Sequence, residues 1–164
     1  MYQHTAPQFM KMLSNLSKWI DKTEAHAKQK EVEVGQYLTA RLIADQYDFI
    51  EQVQSVCDAA KFCCARLTGK EAPKHEDNEK TLDEVRARIK KCIGYLETFK
   101  ESDFKGCETR EVTLPFLENK RFQGESYAIH MAIPNFYFHL MTAYSILRSN
   151  GVGIGKMDYI GEIK

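Results

Sequence analysis

The feature that most constrains the fold of this chain is the long stretch of residues 8–72, which contains no proline and only two glycines, Gly35 and Gly69. Apolar residues recur every three or four positions along both parts of this stretch. That spacing places apolar side chains on one face of an α-helix, whereas a half-buried strand would need alternation. The stretch therefore predicts two long amphipathic helices.

The first helix is predicted to begin at Thr5-Ala6-Pro7-Gln8, because threonine is a common N-cap residue and proline suits the first helical turn. We expect it to continue to about Gln29. Its apolar face is formed by Phe9, Leu13, Leu16, Trp19 or Ile20, and Thr23 or Ala27.

Residues 36–67 form the longest periodic segment and predict a second helix that ends at Thr68-Gly69. At 1.5 Å per residue, such a helix spans about 50 Å, so we expect it to kink or to extend beyond its neighbours. Its apolar stripe contains Leu38, Leu42, Phe49, Val53, Val56, Ala60, Cys63 and Leu67. The polar residues 70–80 that follow predict an exposed connection.

Two further helices are predicted in the second half of the chain. Thr81-Leu82-Asp83-Glu84 has the residue types and spacing of a capping box, and a third helix continues from it to Phe99. A fourth helix begins at Pro134 and ends at Asn150-Gly151. Residues 135–148 are apolar around nearly the whole helix, so we expect this helix either at the centre of a bundle or covered by another subunit.

Between the third and fourth helices the helical period is lost. Residues 108–114 alternate, and residues 122–124 and 127–133 could pair with them. This pattern predicts a short β-hairpin, with an irregular insertion as the alternative. The predicted class is therefore mainly α: a four-helix bundle with this insertion, forming a single domain over residues 1–164. Glycines 151, 153 and 155 let the tail cross a helix surface, where Tyr159 and Ile160 anchor it.

The charge balance excludes several functions. The chain has 23 lysines and arginines against 23 aspartates and glutamates. A protein that binds nucleic acid through its charge would show a basic surplus, so we expect no nucleic-acid partner. No apolar run approaches the roughly 20 residues that cross a bilayer, so we expect no membrane partner either.

The cysteines and the first residues predict a cytoplasmic location. No secretory signal is visible at Met1-Tyr2-Gln3-His4. The five cysteines form no C-x-x-C pair, and without an export signal reduced thiols are expected. Most of them lie near apolar helical positions, where cysteine packs as a small hydrophobic residue.

Polar residues on apolar helix faces are the candidates for a functional site. Asp45 and Gln52 lie two turns apart at the edge of the predicted second-helix stripe, and His139 lies beside the apolar face of the fourth helix. Tyr144 completes this candidate pocket, although aromatic residues here are also typical of a core or a subunit interface. The alternatives for Asp45 are a structural partner such as Arg41 and a bundle end open to water, and a lone histidine is often structural.

His139 is the one candidate metal ligand, and no catalytic residue or metal site is assigned. A second histidine one turn later would make a metal half-site, but that position is Ala143. We therefore expect no cofactor, with a divalent metal as the alternative.

Several stretches resemble one bacterial family. They are residues 22–27 (KTEAHA), 38–54 (LTARLIADQYDFIEQVQ), 65–69 (ARLTG) and 134–158 (PNFYFHLMTAYSILRSNGVGIGKMD). On these residues the chain resembles a domain-of-unknown-function family within the DinB/YfiT-like superfamily. The resemblance implies a four-helix bundle with a long crossover connection, usually a homodimer.

The wider superfamily implies thiol-dependent transferases and isomerases with a divalent metal held by three histidines. Of that triad, this chain offers only His139, with Ala143 at the next ligand position and Asp45-Gln46 in place of a helix-two histidine. We expect a homodimer that binds a small molecule between its helices. The alternatives are a metal-assisted thiol-dependent transferase, with Asp45 assisting His139, and a non-catalytic structural or interaction protein.

Overall fold

The computed structural model describes residues 1–163, and Lys164 alone lies outside the described residues. Its helices are α1 (Ala6–Lys30), α2 (Gly35–Leu38), α3 (Phe49–Thr68), α4 (Leu82–Leu96), α5 (Gly124–Tyr127), α6 (Ile133–Ser149) and α7 (Lys156–Ile160). Two strands, β1 (Glu111–Leu114) and β2 (Lys120–Gln123), form one antiparallel sheet. Short 3-10 helices lie at Tyr2–His4, Glu101–Phe104, Cys107–Thr109 and Pro115–Leu117, and a π-helical turn, Ala128–Ala132, joins α5 to α6.

The four long helices α1, α3, α4 and α6 pack as a bundle. Helix α3 contacts both α4 and α6, and α1 closes the bundle mainly against α4. Each helix contributes fully buried apolar side chains, among them Trp19, Val56, Leu96 and Leu140. The hairpin lies between α4 and α6 in the chain, so the mainly α class with this insertion is confirmed.

Over residues 1–163, every helix is too short or too polar to cross a membrane.

Helix α1 begins and ends as predicted, but Thr5 does not cap it through its side chain. The Thr5 hydroxyl instead donates to the carbonyl oxygens of Met1 and Tyr2, both at 3.2 Å. Proline at the start of the helix supplies the favourable backbone geometry. The chain leaves α1 at Glu31, which has a left-handed backbone with φ of 56°.

The prediction of one continuous helix over residues 36–67 is wrong. The segment divides into α2, a loop over residues 39–48, and α3. Asp48 ends the loop because it forms a capping box with Glu51: its carboxylate accepts from the Glu51 N–H at 3.0 Å, and the Glu51 carboxylate accepts from the Asp48 N–H at 2.9 Å. The loop is closed by the Phe49 N–H, which donates to the Ala40 carbonyl at 3.0 Å. Leu42, placed in the buried stripe by its spacing, is 47% exposed.

Helix α4 begins at the predicted capping box. The Thr81 hydroxyl accepts from the Glu84 N–H at 3.2 Å, and the Glu84 carboxylate accepts from the Thr81 N–H at 2.9 Å. The helix ends at Leu96, before the predicted Phe99, but Phe99 is still buried against the core.

The hairpin contains one of its two predicted return segments. Phe122 lies opposite Val112, and Gln123 opposite Glu111. Residues 127–133 are helical, so their predicted pairing as a strand is wrong. They bury Tyr127, Ala128 and Ala132, which share one side of a helical path rather than of a strand.

The tail crosses α1 as predicted. The Tyr159 ring stacks on the Trp19 ring at 5.6 Å between centroids, and the Trp19 indole N–H donates to the Asp158 carbonyl at 3.0 Å. Ile160 is half-buried. These contacts hold α7 against the bundle.

Candidate functional site

A groove of about 790 Å³ runs along one face of α3. Its opposite wall is the helical stretch of residues 127–139, and its ends are closed by the loop between α3 and α4 and by the 3-10 turn at Pro115–Leu117. The volume lies in the range that small-molecule sites occupy in proteins.

The helical period of α3 produces its groove face. Glu51, Ser55, Asp58, Phe62 and Arg66 follow one another at intervals of three or four residues, so their side chains share one side of the helix. The buried apolar residues of α3 occupy the opposite side. One helix thus supplies both part of the core and one wall of the groove.

His139 lines the groove from α6, and buried Gln52 on α3 lies behind it. The His139 Nδ1 atom is 2.8 Å from the Gln52 Oε1 atom. The Gln52 amide nitrogen donates to the Tyr47 carbonyl at 3.2 Å. The Tyr47 ring also stacks beside the imidazole, with 6.3 Å between centroids.

These hydrogen bonds determine the state of the imidazole. Since the Gln52 nitrogen faces a carbonyl, its amide oxygen faces His139, and an oxygen acceptor requires a proton on Nδ1. Burial lowers the pKa of His139 below its ordinary value of 6.5, so the ring is neutral at neutral pH. The Nε2 atom then carries a lone pair that can accept a proton or a hydrogen bond.

Five carboxylates line the groove, and each lies near a basic side chain. Arg41 lies 3.6 Å from Asp48 and 3.3 Å from Glu51. The other three are Asp58, Asp77 and Glu79, which all contact Arg88.

Arg88 is the centre of the second charge cluster, and it is only 2% exposed. Its guanidinium contacts Asp58 at 3.0 Å, Asp77 at 2.9 Å and Glu79 at 3.2 Å. Buried Lys61 also contacts Asp58, at 2.8 Å. This network ties the loop between α3 and α4 to both helices and so sets that side of the groove.

Arg66 lies at the end of the groove near the hairpin. It donates to the Tyr127 hydroxyl at 3.0 Å, and its guanidinium faces the rings of Phe62, Tyr127 and Phe116 at 5.0, 5.8 and 6.0 Å. Burial raises the pKa of Tyr127 to about 12, so its phenol is neutral.

The structure brings two of the four predicted site residues together and separates the others. Gln52 and His139 form one hydrogen-bonded pair. Asp45 is exposed on the loop that interrupts the predicted second helix, and it does not line the groove. Tyr144 packs against Trp19 and Tyr159, away from the groove, and its hydroxyl donates to the Ile154 carbonyl at 3.5 Å.

Arg66 and Tyr127 are groove residues that were absent from the predicted site. A signal for Arg66 was present in the sequence, because Asp58, Phe62 and Arg66 form a polar and aromatic row at helical spacing. Tyr127 had no such signal, since its segment was assigned to a strand.

The three-histidine metal site implied by the resemblance does not fit the residues found here. His139 is followed one turn later by Ala143 and faces Gln52. A single glutamine oxygen cannot replace the other two histidine ligands of that site. Over residues 1–163, no three histidine, cysteine, aspartate or glutamate side chains converge to hold a metal ion. The expectation that the protein uses no cofactor stays a prediction.

Comparisons with known proteins agree with this architecture. Residues 1–160 match the model of a family described as a domain of unknown function, DUF1993. The chain is 49% identical to a DinB family member protein from Shewanella denitrificans, whose crystal structure superposes with a TM-score of 0.96. That match covers 99% of this chain and 92% of the other. No curated protein matches the chain. The chain therefore belongs to the DUF1993 family, a family of domains of unknown function with the DinB-like fold.

Proposed function

We propose that this protein binds a small organic molecule in the groove between α3 and α6. The observation that carries the proposal is the His139–Gln52 pair, which directs one neutral imidazole at a groove of about 790 Å³. Buried Gln52 lies behind His139, fixes the ring through Nδ1 and leaves Nε2 to contact the ligand. The aromatic side chains Tyr47, Phe62 and Phe116 supply apolar surface for the rest of the molecule.

Titration with benzyl alcohol tests the proposal, since this neutral probe has a ring for the apolar surface and a hydroxyl that can donate to Nε2. We expect backbone amide NMR signals of Ser55, Ala132 and His139 to shift on titration, with a Kd on the order of 1 mM. His139→Phe keeps a ring but removes Nε2, and should weaken binding about fivefold, equivalent to one neutral hydrogen bond.

Asp45→Ala is the matched control, because Asp45 is exposed outside the groove. It should leave benzyl alcohol binding unchanged. Shifts confined to residues outside the groove, or no shifts at saturating probe, would disprove the proposed function.

We also propose that the protein is a homodimer that pairs through α6. Pro134, Phe138 and Met141 share one face of this helix, and Phe138 and Met141 are 55% and 45% exposed. A second copy would cover these side chains, and the balanced net charge lets two copies approach without repulsion.

Five free and buried cysteines support a cytoplasmic location, where thiols stay reduced.

Light scattering tests the dimer. The wild type should have twice the mass of one 18.9 kDa chain, and Phe138→Glu should reduce it to one chain. Exposed Glu125, on α5, provides a control in Glu125→Gln, which should remain dimeric. A monomeric wild type at 100 μM would overturn the dimer and leave the ligand proposal standing.

A further inference from the structure

Arg66 differs from the other basic side chains beside the groove. Arg41, Lys61 and Arg88 each contact at least one carboxylate within 4 Å. Within residues 1–163, Arg66 contacts none, although five carboxylates line the same groove. A half-buried guanidinium has lost part of its hydration, and without an acidic partner that loss must be offset by other contacts.

Three aromatic rings supply the offsetting contacts. The Arg66 guanidinium lies 5.0 Å from the Phe62 centroid, 5.8 Å from that of Tyr127 and 6.0 Å from that of Phe116. Ring faces attract a cation without using its N–H groups. The rings therefore hold the guanidinium in place and leave its donors available to an acceptor.

Both Arg66 and Tyr127 keep hydrogen-bond donors that are free to meet an acceptor. Within residues 1–163, one of the five N–H groups of Arg66 donates, to the Tyr127 hydroxyl at 3.0 Å. The Tyr127 hydroxyl accepts this bond and donates none within the described chain, so its own proton is also available. Because burial keeps Tyr127 neutral, the hydroxyl retains that proton well above neutral pH.

We propose that Arg66 and Tyr127 form an anion subsite that binds the carboxylate of a monoanionic ligand at the hairpin end of the groove. The inference rests on the proposed function and names the ligand class. A planar carboxylate matches the two parallel N–H groups of a guanidinium, and Phe62 and Phe116 contact the adjoining apolar part of the ligand.

A monoanion is favoured over a phosphate dianion by the charge of the groove. Among residues 1–163, Arg66 is the one cation that lines the groove without a carboxylate partner, and Asp48, Glu51, Asp58, Asp77 and Glu79 lie along the remainder. A dianion would meet more repulsion from these carboxylates than a monoanion, for the same guanidinium contact.

Three probes of similar size test the subsite by NMR titration: 3-phenylpropionate, the neutral 3-phenylpropionamide and 2-phenylethyl phosphate. We expect the carboxylate to bind the wild type at least tenfold more tightly than the amide, and more tightly than the phosphate. Arg66→Met should reduce the ratio of carboxylate to amide affinity to about one, the loss expected for a charge-assisted bond.

Further variants separate the subsite from general effects of charge and folding. Arg66→Lys should keep part of the carboxylate preference, and Tyr127→Phe should reduce it about threefold while retaining the ring. Arg86→Gln removes an equal charge from an arginine whose carboxylate partners lie outside the groove, and it should not reduce the preference. If Arg66→Met does not unfold in a cooperative thermal transition, Arg66→Lys and Tyr127→Phe provide the test instead.

The titrations distinguish failure of the subsite, of the ligand class and of the proposed function. Equal affinities for carboxylate and amide in the groove would overturn the subsite alone, as would an unchanged ratio in Arg66→Met. Tighter binding of the phosphate would overturn the ligand class. Binding of none of the probes in the groove would overturn the subsite together with the proposed function.

Discussion

The Nδ1 atom of His139 lies 2.8 Å from the Oε1 atom of Gln52, although the two residues are 87 positions apart in the chain. The contact joins α6 to α3 beside the groove, which His139 lines. Because Tyr47 orients the Gln52 amide, the imidazole has one defined neutral form. A polar pair of this kind costs stability if either member is removed alone, since the other is left buried without a partner.

The buried imidazole makes stability depend on pH. Burial lowers the pKa of His139, and of His75, below the ordinary 6.5. As pH falls through 6.5, these two histidines become protonated in the unfolded chain before they do so in the folded protein. The free energy of unfolding should therefore decrease. Above 6.5 both states are neutral and this contribution is fully present.

Urea unfolding at pH 7.5, 6.5 and 5.5 measures this effect. His139→Gln should reduce the dependence of unfolding free energy on pH, because one of the two histidines no longer titrates. Exposed His130 provides the control variant His130→Gln, which should retain the wild-type slope. An unchanged slope in His139→Gln would contradict the assigned burial of the imidazole charge.

Arg88 and Arg86 offer a matched comparison on the same helix. Each contacts three carboxylates, but Arg88 is 2% exposed and the partners of Arg86 are mostly in solvent. Arg88→Met should cost about 3 kcal/mol of unfolding free energy, because it leaves the Glu79 carboxylate, whose side chain is 9% exposed, without its cationic partner. Arg86→Met should cost less than about 1 kcal/mol. If the two variants lose similar unfolding free energy in urea, burial does not strengthen the ion pairs of Arg88.

The thiols should be unreactive in the folded protein. All five cysteines are free and buried. Burial raises the pKa of Cys63 to about 12 and also raises the pKa of Cys64 and Cys107, so the nucleophilic thiolate is scarce. Ellman's reagent at pH 8 should react with none of them within minutes, and with all five after unfolding in guanidinium. Fast reaction of one native thiol would contradict the burial of that cysteine.

Two glycines should respond to alanine in opposite directions. A Cβ atom at Gly124 would lie 1.9 Å from the Cys107 carbonyl oxygen, and backbone cannot yield as a side chain can. Gly124→Ala should therefore lose about 1–3 kcal/mol by overpacking. Gly94 lies in α4 with no atom within 4 Å of an added Cβ, so Gly94→Ala should gain about 0.5–1 kcal/mol from helix propensity. Thermal denaturation of both variants provides the comparison.

A local signal predicted the start of α4, where both partners lie within one helical turn. That signal is the Thr81–Glu84 capping box, since its two bonds join residues three positions apart. The same signal, Asp48 with Glu51, begins α3 and was present in the sequence, but the apolar spacing across it favoured one uninterrupted helix. Residues 127–133 were ambiguous because short apolar runs fit a helix or a strand equally well.

The candidate site was predictable only in part for a different reason. Helical spacing marked Gln52 and His139 as polar residues near apolar faces; His139 lines the groove, and Gln52 lies behind it in contact with the imidazole. Asp45 was placed with them by assuming a continuous helix, and the loop over residues 39–48 turns it outward. Tyr144 shares α6 with His139 but points to the α1 side, where Trp19 and Tyr159 pack against it.

The sequence by itself determined which faces of α1, α3, α4 and α6 are buried, because the period of apolar residues and the hydrophobic effect act within each helix. Only the tertiary structure decided which polar residues meet. The packing of α3 against α6 and the path of two loops set the distance between Gln52 and His139 and the pairing of the groove carboxylates. They also leave Arg66 without an acidic partner among residues 1–163. These contacts arise between segments far apart in the chain, where no local period carries information about the partner.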